Sequence, residues 1–216
     1  GGDAAFATLS RDMLAESRLG DARLAEVNAI FRAIAPAKPR MPLTLKVMGT
    51  ETLPPNALAL PNGTIIITDG MILHILGKQA AFGDAGRARL AAVLAHEIGH
   101  IEGRHSMRAV TRSSLTALLS AALFGDFSAV AAGAPALLLN MDYSREMETM
   151  ADDYAVARLA EHGVPPDALA DLFDSLDAAM PGQSVLPRWM RLAGSYLKSH
   201  PASAERSERI RASARE

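Results

Sequence analysis

A chain of 216 residues with 49% apolar side chains can fill the core of one domain, with a helical extension at most. A net charge of −2 excludes the basic footprint of a nucleic-acid binder. With no cysteine, disulfides and thiolate metal sites are excluded; any metal must sit on histidines and carboxylates, and the compartment stays open.

The chain opens on Gly1-Gly2 without a signal-peptide pattern. A targeting segment or anchor is expected to have preceded this start. Residues 4–35 read as helix, with Leu14, Leu19, Leu24, Val27, Ile30 and Phe31 as its apolar stripe. Pro36, Pro39 and Pro42 break it. Residues 1–40 are therefore expected to be a packing segment and 41–216 the main domain.

A small sheet follows. Leu43 to Val47 alternates, Asn56 to Leu60 is a second strand, Pro61-Asn62-Gly63 signals a turn, and Thr64 to Thr68 is β-branched throughout. Met71 to Leu76 reads as a short helix, and 77–86 as a polar loop.

From about Ala85 to Arg104 a proline-free helix is expected. Leu90, Leu94, Ile98 and Ile101 form one face, and Ala92, Ala95, Gly99 and Gly103 a second. A helix packed on two faces is central. Two glycines inside it weaken it, which predicts the close approach of another element there.

Residues 113–141 are almost uncharged but broken at Gly125-Asp126 and Pro135. Each half is too short for a comfortable membrane span. They read as core helices or as an interfacial hairpin touching a membrane peripherally. Helices are expected again at Tyr143–His162, from Pro165-Pro166-Asp167 to about Met180, at Val185–Leu197 and at Ala202–Arg215.

The chemistry starts from His96-Glu97-Ile98-Gly99-His100. On a helix, residues four apart share a face, so His96 and His100 can offer two ring nitrogens to one ion. Glu97 lies about 100° round and can reach a water on that ion. This is the HExxH zinc-protease pattern. Two histidines at this spacing also arise by chance, so the rest of the chain must decide. A third ligand is required, with one position left for water. The candidate is Glu148, with Asp152 one turn on to accept the free N–H of a ligating histidine. The alternative, two solvated carboxylates like Glu146 and Asp153, loses weight beside the histidine pair.

The set Ser144-Arg145-x-x-Glu148-x-x-Ala151-Asp152 after His96-Glu97-x-x-His100 resembles the HtpX-type zinc endopeptidases, which include the CAAX prenyl proteases and the periplasmic BepA-like proteases. Asn56 to Gly63 with the isoleucine strand, His100-Ile101-x-x-Arg104-His105, and His200-Pro201 with Arg206 and Arg209 are similar to further motifs of that family, in its order. The resemblance implies an α+β, mostly α fold: a zincin-like domain with a small antiparallel sheet on the HExxH helix. It implies one Zn2+ on His96, His100 and Glu148, with Glu97 as general base. Asn56 would head the edge strand where an extended substrate adds. His200 would stabilise the oxyanion or, at rest, fill the open metal position, with Arg206 nearby. His105 reads as structural, and His74 and His162 as ordinary.

These features define two expectations. The first is a zinc endopeptidase with polypeptide substrates, misfolded or membrane-associated, acting in envelope quality control; the family's periplasmic members suggest a periplasmic or membrane-associated location. No Gly-x-Ser-x-Gly elbow or cysteine competes as nucleophile. The second is a latent protease acting as a chaperone-like assembly factor with a closed zinc site.

Overall fold

The computed structural model describes residues 13–51, 53–109, 111, 143–179 and 196–215. In chain order the elements are β1 (Ala15–Glu16), α1 (Asp21–Ile34), β2 (Thr44–Gly49), β3 (Ala57–Ala59), β4 (Thr64–Thr68), α2 (Asp69–Leu76), α3 (Asp84–Glu102), α4 (Arg145–Glu161), α5 (Ala168–Ala178), α6 (Tyr196–Ser199) and α7 (Ala204–Ser213). The fold is α+β and mostly α. The expected helices over 113–141 and most of 185–197 lie outside the described residues.

The sheet has the order β1-β2-β4-β3. It is mixed, which corrects the antiparallel expectation: β3 and β1 pair antiparallel with their neighbours, but β2 runs parallel to β4. The reason is that β4 inserts between β2 and β3. The β3–β4 hairpin turns at Pro61-Asn62-Gly63, where Gly63 adopts φ +86°. The Gly63 carbonyl then accepts from Thr44 N–H at 3.1 Å and starts the parallel ladder. Every residue of β4 is buried, which explains its β-branched run: it is the strand covered on both faces. Ile65 and Ile67 enter the main core with Ala57 and Ala59, whereas Ile66 joins Leu58, Leu60, Tyr143 and Met147 in a smaller cluster. This is the period of two expected of a strand.

A second correction concerns the N-terminal stretch. Residues 15–16 are strand, not helix, and α1 starts only at Asp21. Asp69 ties this segment down, accepting from Ser17 Oγ at 2.6 Å and from Arg18 N–H at 2.8 Å. These bonds hold the backbone extended against Gly49, where a Cβ would stand 2.5 Å from Glu16 O. Downstream, Val27, Phe31 and Ile34 of α1 enter the same core as α3. Arg158 of α4 donates to the carbonyls of Ile34 and Ala35 at 2.8 and 2.7 Å, satisfying the end of α1.

Helix α3 is the axis of the molecule, with every residue from Leu90 to Ile101 buried. Gly99 permits α4 to approach: a Cβ there would lie 3.0 Å from both Cα and O of Ala151. Gly103 is tight for another reason. Arg104 takes φ +54° and turns the chain back, so that the ring of His105 fills the space a Gly103 Cβ would need. Among the described residues, no helix is long and apolar enough to cross a membrane.

Candidate metal centre

Helix periodicity builds the first half of the site. It sets His96 and His100 one turn apart on α3, with their Nε2 atoms 3.0 Å from each other. Helix α4 is capped at its N-terminus by Ser144, whose Oγ accepts from Met147 N–H at 3.2 Å. That cap positions Glu148 in the first turn and Asp152 one turn further, both buried. Ser203 caps α7 in the same way, accepting from Arg206 N–H at 3.1 Å. His200 and Arg206 reach the centre from this C-terminal segment.

His96, His100, Glu148 and His200 bring one donor atom each into a cluster no wider than 4.8 Å, and all four are buried. His200 Nδ1 stands 3.1 Å from His96 Nε2 and 3.0 Å from Glu148 Oε1. Glu148 Oε1 lies 3.2 Å from His100 Nε2, and Oε2 lies 3.6 Å from His96 Nε2. Metal–ligand bonds of about 2.1 Å set tetrahedral ligand-to-ligand edges of about 3.4 Å. The spacings of 3.0–3.6 Å, taken over both Glu148 oxygens, lie near those edges. Three buried imidazoles and a buried carboxylate converging on one point suit a divalent cation, which uses their inward lone pairs at once.

The surrounding shell orients these donors. Asp152 Oδ1 is 3.1 Å from His96 Nδ1, and His105 Nδ1 is 3.0 Å from His100 Nδ1. Each of these two histidines thus has a polar neighbour beside the ring nitrogen turned away from the cluster. Arg206 forks onto Asp152 at 2.8 and 2.7 Å and reaches Glu148 Oε2 at 2.6 Å. Its guanidinium also covers the Phe173 ring at 4.2 Å. Arg209 adds a contact to Asp152 Oδ2 at 2.8 Å.

Charge states follow from this packing. Burial opposes ionisation of Asp152, but Arg206 and His96 overcome it and bring its pKa down to about 2. Burial also opposes ionisation of Glu148, and His200 with His100 reverses it, holding that carboxyl well below its usual range. His100 is pushed well below the ordinary histidine value, chiefly by burial. For His200, burial is outweighed by Glu148 and Glu97, and its pKa rises. Burial and the nearby Glu97 raise the Tyr196 phenol well above its normal value.

The structure therefore brings together His96, His100, Glu148 and His200, with Glu97 beside them and Asp152 and Arg206 behind. Asn56 stands immediately before β3, at the sheet's edge, and its backbone is locked to Thr68: its N–H donates to Thr68 Oγ1 at 3.0 Å and its carbonyl accepts from Thr68 N–H at 3.0 Å. Three neighbours were not among the expected site residues. Tyr196 Oη donates to Glu97 Oε1 at 3.0 Å. Tyr143 stacks on His100 with centroids 4.0 Å apart. His105, expected to be structural, supports His100 directly. The sequence signal for Tyr196 is its place four residues before His200; Tyr143 precedes the cap Ser144.

An HExxH helix crossed by a second helix that carries a glutamate donor and, one turn on, the aspartate behind a histidine defines a metallopeptidase domain. The chain belongs to Peptidase family M48, whose sequence pattern matches residues 21–214. Among curated proteins it is 32% identical over 162 residues to the Mitochondrial metalloendopeptidase OMA1 of Schizosaccharomyces pombe, covering 72% of this chain and 42% of that one. It is 29% identical over 163 residues to Metalloprotease LoiP of Escherichia coli, covering 72% and 57%. It is 31% identical over 134 residues to a Putative beta-barrel assembly-enhancing protease of Vibrio cholerae, covering 56% and 26%. The chain spans between about a quarter and three fifths of the length of these relatives.

Proposed function

We propose that this chain is a zinc-dependent endopeptidase in which Glu97 is the general base. The observation that carries this is Glu97 itself, a fully buried carboxylate next to the four-donor cluster with one oxygen, Oε2, left without a hydrogen-bond partner among the described residues. A purely structural metal site has no use for it.

His96, His100 and Glu148 would hold the zinc. When bound, zinc acidifies water and polarises a carbonyl oxygen. Glu97 takes the proton from the attacking water and returns it to the leaving amine. His200 supplies a ring N–H to the developing oxyanion. Asp152 keeps His96 in one tautomer, and Arg206 offsets the negative charge of Asp152 and Glu148. Asn56 heads the strand edge on which an extended peptide would add. The substrates are polypeptides, and the proposed setting is quality control of misfolded or membrane-associated envelope proteins. The names of the Escherichia coli and Vibrio cholerae relatives, a metalloprotease and a putative beta-barrel assembly-enhancing protease, support the protease part of that reading. Periplasmic or membrane-associated location is proposed from the resemblance to the family's periplasmic members, and peripheral membrane contact through 113–141 from the almost uncharged sequence of that stretch.

One observation favours a second reading. His200 Nδ1 already lies within 3.1 Å of two of the other donors, as a fourth ligand closing the site would. On that reading the chain is a latent protease with a chaperone-like assembly role.

The test is zinc content and casein hydrolysis on the same preparation, wild type beside Glu97→Gln. The expected result is about one zinc per chain in both, with hydrolysis reduced in the variant by on the order of a hundredfold or more. Equal turnover in the two proteins would refute the role of Glu97.

A further inference from the structure

Glu97 has two chemically equivalent oxygens, yet its surroundings treat them differently. Oε1 receives the Tyr196 hydroxyl at 3.0 Å and has His200 Nε2 at 3.6 Å. Oε2 is buried and has no hydrogen-bond partner among the described residues. A carboxylate turning about its last bond would present either oxygen to a water; a donor held on one side removes that freedom.

Tyr196 is itself held on several sides. It is fully buried. Its backbone N–H donates to Pro55 O at 3.2 Å, just before the edge strand. Its ring stacks on His200 with centroids 4.4 Å apart, and on Phe173 at 6.2 Å. The hydroxyl is thus a fixed donor aimed at one atom.

We propose that Tyr196 is a positioning residue for the base: it holds Glu97 Oε1 so that Oε2 takes the proton of the attacking water. This rests on the protease reading above. The contact ties the base to α6, the same short helix that leads into His200, so one segment orients both groups.

The test is Tyr196→Phe, which removes only the hydroxyl, in the zinc-loaded chain beside wild type and Glu97→Gln. Zinc content, kcat and KM are measured with a quenched-fluorescence peptide. The expected result is unchanged zinc and KM, with kcat lowered on the order of tenfold to a hundredfold. Unchanged kcat overturns the proposal, and so does zinc lost in proportion to activity, which would make Tyr196 part of the metal site's packing.

A second readout needs no turnover. The chain has three tyrosines, so a ring-13C tyrosine is incorporated at position 196 alone, and its displaced C–O stretch is assigned to Tyr196 without reference to Tyr196→Phe. It is expected to shift in Glu97→Ala; a band that stays in place overturns the proposal even if Tyr196→Phe fails to fold. A wild type that holds zinc, shows the shift and cleaves nothing refutes the protease reading and the positioning role with it, while leaving the Tyr196–Glu97 contact established.

Discussion

Gly99 and Ala151 bring α3 and α4, the two helices of the four-donor cluster, into backbone contact: a Cβ on Gly99 would sit 3.0 Å from both Cα and O of Ala151. Gly99 is next to His100, and Ala151 is next to Asp152. The spacing between the histidines of α3 and the carboxylates of α4 is therefore set at a point where no side chain intervenes. Gly99→Ala would gain intrinsic helix propensity but force α4 outward. The expected outcome is a net loss of about 1–3 kcal/mol and a zinc affinity lowered at least tenfold. Thermal unfolding and competition with a chromophoric chelator measure both; a variant that gains stability and keeps its affinity would show that the contact does not govern the site.

His200 discriminates between the two functional readings. His96, His100 and Glu148 remain in His200→Ala, so zinc should stay bound. If His200 serves the oxyanion, kcat falls on the order of a hundredfold. If it closes the site instead, the same variant cleaves faster than wild type. The sign of the change in kcat, taken at equal zinc content, decides.

Arg206 faces two buried carboxylates, Glu148 and Asp152, at 2.6 and 2.7 Å. Replacing it with methionine leaves two negative groups near each other without that cation. The chain without metal should lose about 3–5 kcal/mol, the usual cost of breaking a buried ion pair from one side. Bound zinc restores part of the neutralisation, so the loss should be smaller in the holoprotein. Parallel denaturant titrations with zinc and with chelator test this; equal losses in both would mean that Arg206 does not act through the charge of the centre.

Metal removal should weaken the fold as well as stop hydrolysis. The four donors come from α3, α4 and the segment after α6, so a bound ion would tie three parts of the fold together. A ligand present at about a thousand times its Kd stabilises by about 4 kcal/mol. EDTA is expected to lower Tm by roughly 8–16 °C on that basis, and added zinc to restore it. A Tm indifferent to EDTA in protein shown to be free of zinc would rule out a metal at this centre.

Much of the site was legible because it is local. The helix repeat alone puts His96 over His100 and Glu148 over Asp152, and residue type then names the chemistry. The β-branched run at 64–68 likewise announced a strand, and the fold buries it on both faces. Residue spacing could not reveal what long-range closure supplies. Tyr196 meets Glu97 across 99 residues, and Arg206 meets Asp152 across 54. The parallel pairing of β2 with β4 depends on which strand the hairpin inserts, and the return of His105 onto His100 depends on a single positive φ at Arg104. The sequence by itself determined the donors and the period that aligns them within each helix, because helix geometry is set by neighbouring peptide units. Only the tertiary structure decided which oxygen of Glu97 is held, which cation faces Glu148 and Asp152, and that His200 lies among the donors, because those contacts exist only once the core has packed α4, α6 and α7 around α3.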